Sequence, residues 1–383
     1  MGFCLDFANK EDTKLNNIVS VSHFDFRVKI NLILVVGPMG SGKTEYAAKI
    51  YKDSLVVRKK SFKVLGNIIK GNRSRVNVFF IRNFLDKRRF QDYPENVIPY
   101  RGGGKDKIDE IGYASNSFDI ENLIASNPSC GTFIIDEACF YDERLIFVLN
   151  KISSNENILF ILPTLLYNFR KESFNDTAKL LVEYSDKIYK LGAYCGHIDC
   201  MEESFFSYRY YFYNNKEIPA PYFDPLLIVG GDEEIESAIY PNYSTRCSMH
   251  HYLIGKEYFF SFLKPFALLY SQGDKKFLEN EIVALSTDVE NSNFVNSLDS
   301  EKAREFRAEI LRNILELPFL AERALITLFS EYSILSKDNF KDLVFKFSLN
   351  KDYINKIFFP KRAKSFLIIV WPLFKKCFSF VNS

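Results

Sequence analysis

The chain has no surplus of charge. Fifty lysines and arginines stand against 48 aspartates and glutamates, a net +2 over 383 residues, so no global field directs it to nucleic acid or to an anionic membrane surface. It also lacks a long apolar run. The strongest one near the C-terminus, residues 366–374, contains Pro372 and falls well short of the roughly 20 residues of a membrane helix. No secretion signal is read either, because the first dozen residues carry charges where such a signal needs an apolar core, and Asp6 replaces the Ser/Thr of a myristoylation site. Seven cysteines, an odd number spread over the whole chain, do not make a disulfide framework and read as reduced thiols or metal ligands. Neither an internal repeat nor a low-complexity tract is present. What these absences leave is a soluble, cytoplasmic, globular protein, 47% hydrophobic and long enough for two domains.

What is present begins with residues 37–44, GPMGSGKT, which fit GxxxxGK[ST]. The motif follows the apolar run 32–36, a candidate buried strand, and precedes the helix-compatible TEYAAKI, so its structural context is right. In that setting the glycines of the loop Gly37, Pro38, Met39, Gly40, Ser41 and Gly42 let backbone N–H groups curl around an anion, Lys43 reaches the β- and γ-phosphates, and the Thr44 hydroxyl faces Mg²⁺. The expected ligand is ATP with magnesium. A second apolar run ends in TFIIDEACF, residues 132–140. Asp136 is then the carboxylate that holds the magnesium, and Glu137 is a candidate general base, toward water in an ATPase or toward a substrate hydroxyl in a kinase.

Further organisation follows from the spacing of apolar runs. Residues 1–30 are a mixed, polar extension that packs on or trails from the first strand. From 31 to 190 short apolar runs (32–36, 78–81, 132–135, 158–162) alternate with helix-compatible stretches such as 144–152 and 176–184, which predicts an α/β domain with a parallel sheet covered by helices on both faces. A basic segment, 56–75, is either a solvated helix-loop or a nucleic-acid contact. RGGGK at 101–105 is a lid or a linker. Residues 191–252 are rich in Tyr, Cys and His. There Cys195, Cys200, Cys247 and His250 form CxxxxC and CxxH pairs whose soft donors suit a structural, tetrahedral Zn²⁺. Residues 253–383, including KAREFRAEILRNILELPFLAERALITLF at 302–329, read as a helical region with no recognisable chemistry.

Six of these segments, in order, resemble the type II thymidine kinase family, the zinc-containing cellular and bacterial kind. GPMGSGKT is similar to its GPMFSGK[ST]; Asp136-Glu137-Ala138-Cys139-Phe140-Tyr141 to DEAQFF; Asp86-Lys87-Arg88 to D-x-R. NFRKESF at 168–174 resembles DFRGEPF, SDKIYKLGAYC at 185–195 resembles ADKIxKLxAxC, and Val229-Gly230-Gly231 followed by YSTRCSMH at 243–250 resembles VGG and YxxRCxxC/H. The resemblance covers about 31–252. It implies a zinc-tethered lasso subdomain at 191–252 and transfer of the ATP γ-phosphate to the 5′-hydroxyl of thymidine or a related deoxynucleoside, with Glu137 and Lys43 catalytic. It further implies a nucleoside site drawn from Met39, Asp86, Arg88, Phe140, Phe169, Phe174, Ser207, Val229, Gly230, Gly231 and Tyr243, with Arg209 turned toward phosphates or nearby acids. It implies a homo-oligomer, a tetramer by the family's habit; from the charge balance and the apolar runs no membrane or nucleic-acid partner is expected. Cys139 stands where the family has glutamine, and the last 130 or so residues have no family counterpart. A P-loop ATPase working with nucleic acid or protein, and a non-catalytic nucleotide-binding regulator, are the competing readings.

Overall fold

Strand β1, Leu32–Val36, is buried at all five positions, which is what a strand covered on both faces requires. In this computed structural model the described residues are 23–60, 69–70, 73–84, 86, 92–100, 104–226, 228–229, 235–301, 312–358 and 367–368. Among them a seven-stranded sheet runs β2–β3–β7–β8–β1–β9, with β6 on the free edge of β3. Its strands are β1, β2 (Ile69–Lys70), β3 (Arg73–Asn83), β6 (Ile111–Ala114), β7 (Cys130–Ile135), β8 (Leu159–Thr164) and β9 (Lys187–Lys190). The hairpin β4 (Val97–Pro99) and β5 (Lys105–Lys107) stands apart from it. All sheet pairings are parallel except β2 with β3. Successive side chains point to opposite faces, so Leu34, Ile81, Phe133 and Phe160 feed one core while Val35, Phe80, Ile134 and Ile161 feed the other.

Helices cover both faces, as the alternation predicts. α1 (Lys43–Val57) buries Ala47, Ala48, Ile50 and Tyr51 on one side. On the other lie α2 (Ser117–Ser126), α3 (Arg144–Asn155) and α4 (Asp176–Tyr184), with Ile120, Ile124, Leu145, Leu149 and Leu181. The starts of α2 and α4 are fixed by Asn116 and Asn175, whose side chains accept N–H groups of the first turn, a cap worth about 1 kcal/mol. The end of the N-terminal extension is seated, not trailing: Phe26 is in the α1 core and the Asp53 carboxylate accepts the Phe24 N–H at 2.9 Å. In the basic segment, Arg58 donates to the Val76 carbonyl and Arg75 to the Ile30 carbonyl, both at 2.9 Å. These guanidiniums hold the fold together. Of the RGGGK segment, 101–103 lie outside the described residues, and Gly104 and Lys105 close the β4–β5 hairpin, where Gly104 accepts the Tyr100 N–H at 2.7 Å.

After β9 the chain forms a small hairpin, β10 (Ala193–Tyr194) with β11 (Glu203–Ser204). Next comes an antiparallel sheet ordered β13–β12–β15, made of β12 (Phe206–Tyr213), β13 (Lys216–Pro219) and β15 (Ser237–Arg246), with β14 (Ile228–Val229) between them in sequence. A helical turn (Lys256–Tyr258) and a π-helical turn (Phe259–Leu263) lead into α5 (Lys264–Ser271), followed by α6 (Lys276–Thr287), α7 (Asn293–Glu301), α8 (Leu320–Ser330), α9 (Lys337–Lys346) and α10 (Lys351–Phe358). These helices build one core with the preceding sheet. Tyr211, Tyr222 and Phe223 pack with Tyr258, Phe294, Leu325 and Tyr353, and each such aromatic carries ~150–250 Å² out of water. The hydrophobic core therefore runs across residue 252. Of the segment read as helical at 302–329, residues 302–311 lie outside the described residues, and the rest is interrupted by Pro318 and by Phe319, whose φ is 66°. Among the described residues no helix is long and apolar enough to cross a membrane.

Candidate active site

The C-terminal ends of β1 and β7, one strand apart in the sheet, bring the phosphate loop and the paired acids together, the place where open α/β sheets bind ligands. Gly40 and Gly42 take φ of 80° and 78°, the left-handed region that glycine enters without cost, and Gly42 caps α1. The Lys43 side chain folds back over the loop, its Nζ donating to the carbonyls of Gly37 at 3.1 Å and Pro38 at 2.8 Å. Burial pushes its pKa down, opposed by the charges of Glu137 and Asp136.

Asp136 is buried, and its Oδ1 accepts the Thr44 hydroxyl at 3.2 Å and the Glu137 N–H at 3.1 Å. Burial first, then the charges of Glu137 and Asp86, push its carboxyl well above the usual range, while Arg82 and the Thr44 hydroxyl work the other way. A hydroxyl and a carboxylate oxygen meeting in this way are the hard donors that Mg²⁺ takes, and a divalent cation would favour the ionised carboxylate. Glu137 has a left-handed backbone, φ 52° and ψ 46°. For a residue with a Cβ this costs on the order of 1 kcal/mol, strain that concentrates at functional sites. Asp86 pairs with Arg82 at 3.1 Å, both buried. Arg88 lies outside the described residues. Cys139 is fully buried, its N–H donating to Thr164 Oγ1 at 2.9 Å, and burial pushes its thiol up to about 12.

Opposite the loop stand residues of β12 and of the turn 167–174. The Met39 N–H donates to Ser207 Oγ at 3.1 Å. His251 Nε2 donates to the Ser207 carbonyl at 3.1 Å, and burial pushes that imidazole down to about 4, so the ring is neutral. Phe140 and Phe174 meet edge to face at 5.2 Å. Phe169 is buried beneath the Arg209 guanidinium, 4.2 Å from its ring centroid. Arg209 Nε donates to the Tyr243 hydroxyl at 2.6 Å. Val229 belongs to β14, and Gly230 and Gly231 lie outside the described residues.

Cys195 and Cys200 lie in the loop that joins β10 to β11, and Cys247 directly follows β15. The Cys247 carbonyl accepts the N–H groups of His250 (3.1 Å) and His251 (2.9 Å), a turn that folds His250 back onto the cysteines. The four ligand atoms lie within 4.8 Å of one another. Cys195 Sγ is 3.7 Å and Cys247 Sγ 3.3 Å from His250 Nδ1, and Cys200 Sγ is 3.8 Å from Cys247 Sγ. A tetrahedral Zn–S bond of ~2.3 Å places sulfurs about 3.8 Å apart, so the cluster fits a zinc ion with no open position. The His197 ring stacks on His250 at 4.0 Å and stands outside the ligand set.

A family model described as thymidine kinase matches residues 30–251, more than half of the chain. The chain belongs to the thymidine kinase family. As a thymidine kinase family member it is a nucleoside kinase, a phosphotransferase for which ATP is the implied donor. The match contains the phosphate loop, the paired acids and the Cys/His cluster, and stops where the helices that complete the second core begin. Sequence reasoning missed Asp224, Glu331 and Arg323. Asp224, fully buried, accepts from Arg209 at 2.8 Å and from the Tyr211 hydroxyl at 2.9 Å. Glu331 takes Arg170 Nη1 at 2.7 Å, and Arg170 Nη2 donates to the Asp224 carbonyl at 2.9 Å. The signal was there in α8: an arginine inside LAERALITL, buried at every position from Leu320 to Leu328, demands a buried acid somewhere.

Proposed function

We propose that the protein transfers the γ-phosphate of ATP to the 5′-hydroxyl of thymidine or a related deoxynucleoside. The observation that carries this reading is the meeting of Thr44 and Asp136 at 3.2 Å, with Glu137 held beside them at the head of the turn that leads into Phe140, whose ring packs on Phe174. The loop N–H groups and Lys43 bind the triphosphate; Lys43 exchanges the loop carbonyls it now caps for phosphate oxygens. Thr44 and Asp136 would hold Mg²⁺, which when bound neutralises charge on the transferring phosphoryl group. Glu137 accepts the proton of the 5′-hydroxyl. Met39, Phe140, Phe169 and Phe174 offer flat, polarisable contacts to a pyrimidine, while Ser207 and Tyr243 of the second sheet and Val229 of β14 border it. Asp86, whose charge acts on Asp136, and Arg88 are assigned to substrate binding on the family resemblance. A zinc ion on Cys195, Cys200, Cys247 and His250 would tie β15 to the β10–β11 hairpin.

One coupled assay of ADP release tests this. Thymidine-dependent release supports the kinase; release stimulated by DNA or RNA and indifferent to nucleosides would replace it with an ATPase. Glu137→Gln keeps the shape but cannot take the proton, so ATP binding should persist while turnover falls by about 10² or more. A fall of only a few-fold would make Glu137 a positioning group.

A further inference from the structure

The family match ends at residue 251, yet the side chain that completes the polar network under β15 comes from far beyond it. Arg323, on α8, has no exposed surface. Its Nη1 donates to Asp224 Oδ1 and to the Tyr211 hydroxyl, and its Nη2 donates to the Ala238 carbonyl in β15 at 2.6 Å. The other Asp224 oxygen accepts Arg209 Nη1 at 2.8 Å, and Arg209 Nε donates to the Tyr243 hydroxyl at 2.6 Å. An unbroken chain of hydrogen bonds thus leads from α8 through Asp224 and Arg209 to Tyr243, and a second contact grips the same strand at Ala238.

Arg209 and Asp224 are a balanced pair, and Arg323 is the third charged group that fixes their geometry, beside the Tyr211 hydroxyl and the Pro225 carbonyl. With Arg323 on Asp224 Oδ1 and the Tyr211 hydroxyl 2.9 Å from both oxygens, Arg209 bonds Oδ2, its Nη1 also donates to the Pro225 carbonyl at 2.6 Å, and its Nε reaches Tyr243. Without it, the fork of Arg209 can slide to grip both oxygens, the favoured arrangement of an arginine with a carboxylate, and that movement pulls Nε off Tyr243. We propose that Arg323 is a positioning residue for the nucleoside, and that the helices beyond residue 252 are a working part of the substrate site. The proposal rests on the reading of Tyr243 as a residue of the nucleoside pocket.

The test is steady-state kinetics of the full chain with ATP and thymidine varied in turn, beside titration with a fluorescent ATP analogue, zinc content and circular dichroism. Arg323→Met should raise the KM for thymidine about tenfold or more and leave the KM for ATP, analogue affinity and zinc content unchanged. Arg323→Lys, able to reach only some of the partners, should fall between. Tyr243→Phe cuts the chain at its far end without disturbing the core; it should also raise the thymidine KM, and the double variant should be no worse than the poorer single one. A folded Arg323→Met protein with the wild-type thymidine KM overturns the proposal, as do equal losses for ATP and thymidine or fully additive effects in the double variant. If Arg323→Met fails to fold, a normal thymidine KM for Tyr243→Phe overturns it instead. A wild-type chain that binds the ATP analogue yet neither binds nor phosphorylates deoxynucleosides would defeat the kinase reading itself, a result visible before any variant is made.

Discussion

Gly37→Ala probes how tightly the phosphate loop is seated. A Cβ at this position would lie 2.3 Å from Ser41 Oγ and 2.5 Å from the Leu191 carbonyl oxygen, whereas real Cβ atoms essentially never approach closer than 3.0 Å. The serine can turn its hydroxyl away. Leu191 cannot yield so easily, because its N–H donates to the Val36 carbonyl at 2.7 Å and extends the β9 pairing with β1. Relief from that carbonyl needs a displacement of about 0.5 Å or more, and the loop is the softer partner. Overpacking of this kind costs ~1–3 kcal/mol in stability. A misplacement of about 1 Å in a group that positions substrate can cost 10² in rate, so a tenfold or greater loss in ATP-analogue affinity or turnover is expected. Fluorescence titration and the coupled ADP assay measure it, with thermal unfolding alongside. Adding Ser41→Gly removes the side-chain clash and leaves the backbone one, so the double variant should remain impaired. Wild-type behaviour of Gly37→Ala, or full rescue by Ser41→Gly, would refute the argument that β9 is the wall behind the loop.

Lys43→Ala should lower triphosphate affinity by at least about 10², since the ammonium is the loop's mobile point charge; isothermal titration with an unchanged dissociation constant would remove the phosphate-loop assignment. Protein purified without chelators should carry about one zinc per chain. Cys247→Ser should lose the metal and loosen β10, β11 and β15, seen as faster amide exchange there; metal analysis that finds none in the wild-type chain would reject the site.

The α/β class, the covering of the sheet on both faces and the coming together of Cys195, Cys200, Cys247 and His250 were legible because each rests on a local rule: continuous apolar runs, helical spacing, soft donors at ligand spacing. The β1 run and α4 are bounded as the pattern predicts. The basic segment 56–75 was ambiguous because net charge does not say where donors go, and Arg58 and Arg75 direct theirs to backbone carbonyls. The second core was illegible for a different reason. Its contacts join Tyr211 to Tyr353 and Asp224 to Arg323, about a hundred residues or more apart, and no spacing rule spans such distances. Phe319 with its positive φ, just after Pro318, shows the same limit locally: a helical period continues through 302–329 while the backbone turns.

The hydrophobic cores of the sheet and the core built from β12 to α10 share no residue, and among the described residues before β12 only Phe169 belongs to the latter. Inherited change can therefore accumulate within one core without emptying the other. A lineage can repack its C-terminal helices while the phosphate loop stays as it was, provided Phe169 keeps its place under Arg209 and Arg170 its ion pair with Glu331. That turn is where the two histories have to agree.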